Sequence, residues 1–290
     1  MSSRLSLLAR LGFILLVAQS IALAPPLVRQ VVADDFDDDD DDEEYGDDDD
    51  DDDGGEDEEE YQPPVTAGGM YTKKTYPLAE LERPLTLTGG MMEVRAGVDI
   101  DVSDKGAFET WQAKLDGRYG LKDYLELQAG AIIGITAPKG VDLPTSIQAG
   151  MESAIAYDLV DFRASAHLVV DPEVAFDLSF GFPFRYKPKP QVAIIALDKV
   201  MTIHTNGDKP DLTIGVGIVF QAAPPLAIIL RGEVTVPQFD TETVAIPATA
   251  AIQFSPTRLV DIGGEFTFGN MKADEPFDQR SLLLFGQFRF

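Results

Sequence analysis

From residue 91 onward apolar and polar side chains take turns along the chain, and that period of two constrains the fold more than any other feature. In residues 281–290, Leu282, Leu284, Gly286, Phe288 and Phe290 fall on one face while Gln287 and Arg289 fall on the other. The same pattern sets Val94, Ala96, Val98 and Ile100 against Glu93, Arg95 and Asp99. Successive side chains of a strand point to opposite sides, so this is the mark of strands with one apolar and one wetted face. Twelve such segments are expected, near residues 91–101, 108–119, 124–135, 146–158, 162–171, 173–187, 191–205, 211–221, 225–236, 243–254, 258–269 and 280–290. Many reach the roughly 9–11 residues that a tilted strand needs to cross a bilayer. Asp198 and Lys199 interrupt the seventh segment. They are read as a bulge within one strand rather than a hairpin turn, because an even count keeps both chain ends on one side.

The connections fall into two classes. Short ones at 119–124, 157–162, 186–190, 220–225 and 254–259 each carry an aromatic residue at a strand end, followed by turn formers. With twelve strands all five lie on the side of the chain ends. Connections near 102–107, 136–145, 206–210, 237–242 and 270–279 lie on the other side and are mostly longer. Short turns under an aromatic girdle at one rim and longer loops at the other are the layout of an all-β, transmembrane, antiparallel up-and-down barrel. Beyond the first 24 residues there is no run of about 18 apolar residues, so no spanning helix is expected. A closed barrel is the other structure that satisfies every backbone group within a bilayer.

The first 90 residues divide into three parts. Arg4 and Arg10 precede an apolar run over 11–24, the pattern of a secretory signal peptide within 1–33, with cleavage after Ala24 or Ala33. Residues 34–61 hold 22 Asp and Glu and no Lys or Arg. Like charges repel, and Phe36, Tyr45 and Tyr61 offer too little apolar surface to offset chain entropy, so this segment is expected to be disordered. From residue 62 onward, 28 acids face 20 bases, which turns the chain's net −27 into an ordinary −8 for the remainder. Residues 62–90 form a Pro- and Gly-bearing periplasmic connector whose second half is placed to pack against the barrel mouth or to plug part of it. The chain has no cysteine, which excludes a lipid-anchored lipoprotein, disulfides and thiolate chemistry.

The turn-and-strand phrase Tyr119-Gly-Leu-Lys-Asp-Tyr-Leu-Glu-Leu127, the strand ending in aromatics at Phe288 and Phe290, and the leader together resemble the porin-like β-barrel proteins of the Gram-negative outer membrane. The resemblance spans residues 91–290. It implies residence in the cell outer membrane, contact with outer-membrane lipid, and recognition of Phe288 and Phe290 by the β-barrel assembly machinery. It says little about the solute.

With the apolar parity assigned to lipid, Phe176, Leu178, Phe180, Phe182, Ile214, Val216 and Ile218 face outward. The opposite parity turns Glu93, Arg95, Asp99, Lys114, Asp116, Arg118, Glu126, Glu152, Arg163, Asp177, Arg185, Arg231, Glu233, Asp261 and Glu265 into the lumen, with Gln128, His167 and Arg289. A charge on the lipid face would cost about 2–4 kcal/mol near the midplane. Both signs are present, so two readings stand: a charged constriction that selects small polar solutes or ions, or a web of ion pairs that rigidifies a closed barrel. In the second, the barrel anchors a polyanionic segment for cations or a basic partner. Asp49, Asp51, Asp53, Gly54 and Glu60 match a calcium-loop pattern, but a nearly pure Asp run matches it by chance, so loose collection of divalent cations is the expectation.

No enzyme is expected. Ser165 and His167 share a strand face, but such side chains lie about 6–7 Å apart, too far for a nucleophile and its base. No nucleophile elbow, histidine metal pair, phosphate loop or dinucleotide fingerprint occurs, so no cofactor is expected. Nucleic acid is disfavoured by the acidity. Trp111 lies on the lipid parity near a strand end, as an interfacial anchor would.

Overall fold

The computed structural model describes residues 69–290 except 105, 172–173, 206–208, 274 and 276–277. The leader, the acidic segment with its calcium-loop-like pattern, and the first part of the connector lie outside the described residues. The strands are β1 (Met92–Asp101), β2 (Trp111–Lys122), β3 (Leu125–Thr136), β4 (Thr145–Ala156), β5 (Val160–Asp171), β6 (Ala175–Gly181), β7 (Phe184–Lys189), β8 (Val192–Ala196), β9 (Met201–His204), β10 (Asp211–Ala223), β11 (Leu226–Val236), β12 (Ala248–Thr257), β13 (Val260–Phe268) and β14 (Arg280–Arg289).

The fold is all-β, and its strands pair antiparallel into a ring. β14 returns to β1, with Val94 opposite Phe288 and Ala96 opposite Gly286, and β10 pairs with β11, so no edge is left open. β6 and β7 are halves of one crossing, as are β8 and β9. β5 reaches both members of the first pair and β10 both members of the second. Fourteen strand pieces therefore make a closed barrel of twelve crossings. Closure matters because it leaves no row of unpaired N–H and C=O groups along an open sheet edge.

One crossing expected as an unbroken strand and one expected to carry a bulge are both split. Pro183 interrupts the first; without an N–H it cannot donate to the ladder, although its carbonyl accepts from Asp161 N at 2.8 Å. The second breaks over 197–200, where Asp198 and Lys199 form the expected bulge. Other boundaries move for local reasons. The strand expected from 243 begins at Ala248, because Pro247 lacks a donor and Ala245 makes only an isolated bridge to Thr235. The strand expected from 108 begins at Trp111, since Phe108 has φ 66° and belongs to a turn.

One rim carries short turns at 123–124, 157–159, 190–191, 224–225 and 258–259; the other carries connections at 102–110, 137–144, 172–174, 205–210, 237–247 and 269–279. The connection at 172–174 is a sixth that the sequence reading did not separate. Leu127, Ile155, Ile218, Leu230, Ile252 and Leu284 are exposed on the outer surface, and Tyr124, Tyr157, Tyr186, Phe220 and Phe254 stand exposed near the turn rim. Ile100, on the same parity, is buried, flanked in register by Trp111 and Leu282. Among the described residues no helix is long and apolar enough to cross a membrane.

Candidate functional site

The mouth at the turn rim is filled by the chain itself. Tyr76, Ala79, Leu81, Arg83 and Thr86 through Thr88 are buried there, around a short 3-10 turn at Glu80–Glu82. Leu81 inserts among Ala193, Val219, Ala227, Ile229 and Ala251, inward residues of β8, β10, β11 and β12. Its backbone N–H donates to Gln221 Oε1 at 3.2 Å, and Gln253 Nε2 donates to Glu80 Oε2 at 2.7 Å. Burying an apolar side chain while pairing the peptide groups that travel with it is what lets an irregular segment sit inside a barrel.

Arg83 is the main polar attachment. Its guanidinium grips Asp261 with both arms, at 2.8 and 3.0 Å, and also donates to Ser255 Oγ at 3.1 Å. From β3 Glu126 Oε2 accepts from Leu87 N at 2.6 Å, while Arg118 of β2 donates to the Leu85 carbonyl at 2.6 Å. Asp123, in the β2–β3 turn, accepts from Met70 N and Gly89 N. Gly120 permits the close approach, because a Cβ there would collide with the Leu87 and Thr88 carbonyl oxygens. Tyr76 lies under the guanidinium of Arg289, at 5.1 Å from its ring centroid, and burial pushes its hydroxyl up to about 12. Residues 76–89 thus act as a stopper, inside the mouth rather than beside it.

Most charges around the stopper are paired with one another. Arg289 reaches Glu93 and Asp261, each at 2.7 Å, and Gln287 Nε2 donates to Glu93 at 2.8 Å. Arg118 pairs with Glu126 at 2.7 Å; Gln128 Nε2 joins Glu126 to Glu152, and Arg163 pairs with Glu152 at 2.7 Å. Arg185 pairs with Asp158 in the β4–β5 turn, where Lys187 also binds at 2.7 Å. Asp161 is wholly buried with both carboxylate oxygens unpartnered among the described residues. The sequence reading passed over it, because a strand-end Asp looks like turn chemistry.

Farther from the stopper the side chains regain solvent. Arg95 pairs with Glu265 and lies 3.7 Å from the Phe285 ring centroid; Lys114 meets Asp99 at 2.6 Å. Asp116 accepts from Gln148 Nε2 at 3.2 Å. A cavity of about 380 Å³ touches Arg95, Asp116, Arg163, Arg231 and Glu265 and ends on Glu80 and Leu81 of the stopper. Arg231 and Glu233 reach the lumen from β11 with no ion-pair partner among the described residues.

Near the loop rim Asp177 binds His204 Nδ1 at 2.8 Å and lies 3.7 Å from His167 Nδ1, while His204 Nε2 meets Asp211 at 3.1 Å. Both imidazole nitrogens of His204 are engaged by carboxylates, so this ring has no nitrogen facing a serine. No set of three or more His, Asp or Glu positioned to hold a metal ion occurs among the described residues.

Two further features are not legible in the sequence. The lumen has an apolar sector, built by Ile195, Val219 and Ile229, and no charge in the sequence marks these residues as inward. His204 and Thr202 are also inward, and simple alternation could not place them beyond the bulge.

No family model matches the chain, and no curated protein matches it by sequence. Among solved structures it is similar to the KdgM porin, at 8% identity and TM-score 0.49 over 68% of this chain and 99% of that one. The NanC porin gives 10% identity and TM-score 0.49 over 68% and 98%. An outer membrane channel, COG4313 from Pseudomonas putida F1, gives 11% and 0.46 over 70% and 96%. The barrel assignment rests on the closed ring of strand pairs, not on these likenesses.

Proposed function

We propose that this protein is an outer-membrane, porin-like channel of a Gram-negative bacterium, passing small polar solutes or ions through a charged lumen that residues 76–89 narrow at the turn rim. The observation that carries this reading is the access of solvent to the lumenal charges. Arg95, Lys114, Arg118 and Arg163 keep 29%, 30%, 30% and 31% of their side-chain surface exposed although each is ion-paired. A lumen whose charged wall is wetted is one that small polar solutes and ions can enter, as in side-chain-lined pores. The apolar outer surface, with Phe288 and Phe290 on it, is suited to lipid.

A second reading is favoured by the stopper: a closed barrel that anchors the polyanionic segment 34–61, which collects divalent cations or meets a basic partner. Single-channel conductance in planar bilayers separates the two. The full chain, a variant lacking residues 34–61, and an Arg83→Ala variant that loosens the stopper are compared. Stepwise conductance that rises in Arg83→Ala supports a stoppered channel, and loss of cation preference on the deletion gives the acidic segment a part in selection. Silence from all three correctly folded proteins overturns the channel and leaves the anchor.

A further inference from the structure

The bulge between β8 and β9 puts two charges where the wall's own pairing cannot reach them. Leu197 N donates to Gly215 O at 3.1 Å and Thr213 N donates to Val200 O at 2.8 Å; on the other side Phe182 N donates to Leu197 O at 2.9 Å and Val200 N to Phe180 O at 2.7 Å. Both neighbouring strands advance two residues while this one advances three. That is one extra residue, a β-bulge, helped by Leu197 at φ 60°. Its first effect is a change of phase. Ile195 faces the lumen before the bulge, whereas Thr202 and His204 face it afterwards, Thr202 hydroxyl beside Ser179 at 3.1 Å and His204 beside Asp177.

The second effect is on Asp198 and Lys199. Both are exposed, and neither has an ion pair or hydrogen bond among the described residues. They line one lumenal cavity with Gln148, Arg163 and His167, and a second niche with Arg231 and Glu233. Glycines make the room. A Cβ at Gly181 would strike the Asp198 carbonyl oxygen, and one at Gly217 would approach Ile195 and Arg231 to about 3 Å. Of the nearby wall charges Arg163 is paired with Glu152, Asp177 with two histidines and Arg95 with Glu265, whereas Arg231 and Glu233 in the second niche have no ion-pair partner among the described residues. A paired charge presents a dipole whose field falls off quickly, whereas an unpaired one keeps its full Coulomb reach.

We infer that Asp198 and Lys199 are the specificity-determining residues of the lumen, the charges a permeating ion or small charged solute meets directly, while most other lumenal charges hold the barrel together. The inference deepens the channel reading and rests on it. The bulge is the device that makes it work, since regular alternation would have directed one of the two residues toward lipid.

The test is the reversal potential in a salt gradient, recorded on single channels of the full chain and repeated in the Arg83→Ala background. Lys199→Glu is expected to shift the cation-to-anion permeability ratio toward cations by about threefold or more, and Asp198→Lys to shift it by a similar factor toward anions. The double variant Arg95→Gln/Glu265→Gln, which removes a paired set without changing net charge, is expected to leave the ratio in place. Opposite shifts from adjacent residues, with the pair deletion neutral, support the assignment. Conduction in which both bulge variants keep the parental ratio overturns the assignment and leaves the channel intact. Silence in every variant and in the Arg83→Ala background overturns the channel reading, and the selectivity role with it.

Discussion

The two halves of the lumen are built from the same residue types, yet they hold their carboxylates differently. At the turn rim Glu126, Glu152 and Asp261 are almost wholly buried, and guanidinium groups and stopper backbone satisfy them. Toward the loop rim Asp99, Asp177 and Glu265 keep 14%, 20% and 19% of their surface. The difference is the presence of residues 76–89. Where peptide covers the charges, their energy goes into holding that peptide; where solvent reaches them, their attraction is screened and holds the wall together less strongly. A lumenal carboxylate in this barrel is therefore buried or solvent-facing according to what sits above it, not according to its own strand.

That contrast is open to attack at graded strength. Removing the shared anchor should do the most: Asp261→Ala strands Arg83 and Arg289 in a buried site, and a loss of about 3–5 kcal/mol is expected in the denaturant midpoint of the folded barrel. Conductance rising in the same variant would tie that anchor to the stopper; an unchanged midpoint would break the comparison at its firmest point. Leu81→Ala empties an apolar socket without touching an ion pair. About 2–4 kcal/mol of stopper docking should be lost, visible as protease cleavage within residues 76–89 while the strands stay resistant. The smallest effect is expected from Lys114→Gln in the solvated half, about 0–1 kcal/mol in the same unfolding assay. A loss there as large as that of Asp261→Ala would mean the two halves do not differ.

Much of the architecture was legible beforehand. Alternation located the crossings, short aromatic turns separated the rims, and the even count made Asp198 and Lys199 a bulge rather than a turn. Each is a local property: strand parity follows from backbone geometry, and turn residues act on their immediate neighbours. The connector was readable only as something near the mouth. Its anchor joins Arg83 to Asp261, which lie 178 positions apart, and no local pattern carries that pairing. The change of phase at the bulge was equally out of reach. One extra residue reverses the parity of everything after it in the strand, and where the extra residue falls depends on the hydrogen bonds of two neighbouring strands.

By itself, then, the sequence determined that this chain forms twelve wall-crossing strands with an apolar outside and a polar inside, because alternation with a period of two admits few other outcomes. Only the tertiary structure decided which inward charges are spent on one another and which remain unpaired. Closing the ring sets β1 beside β14, so that Glu93 meets Arg289 across nearly the whole length of the barrel domain. Coulomb energy depends on separation in space, and for this barrel that separation exists only once the last strand has found the first.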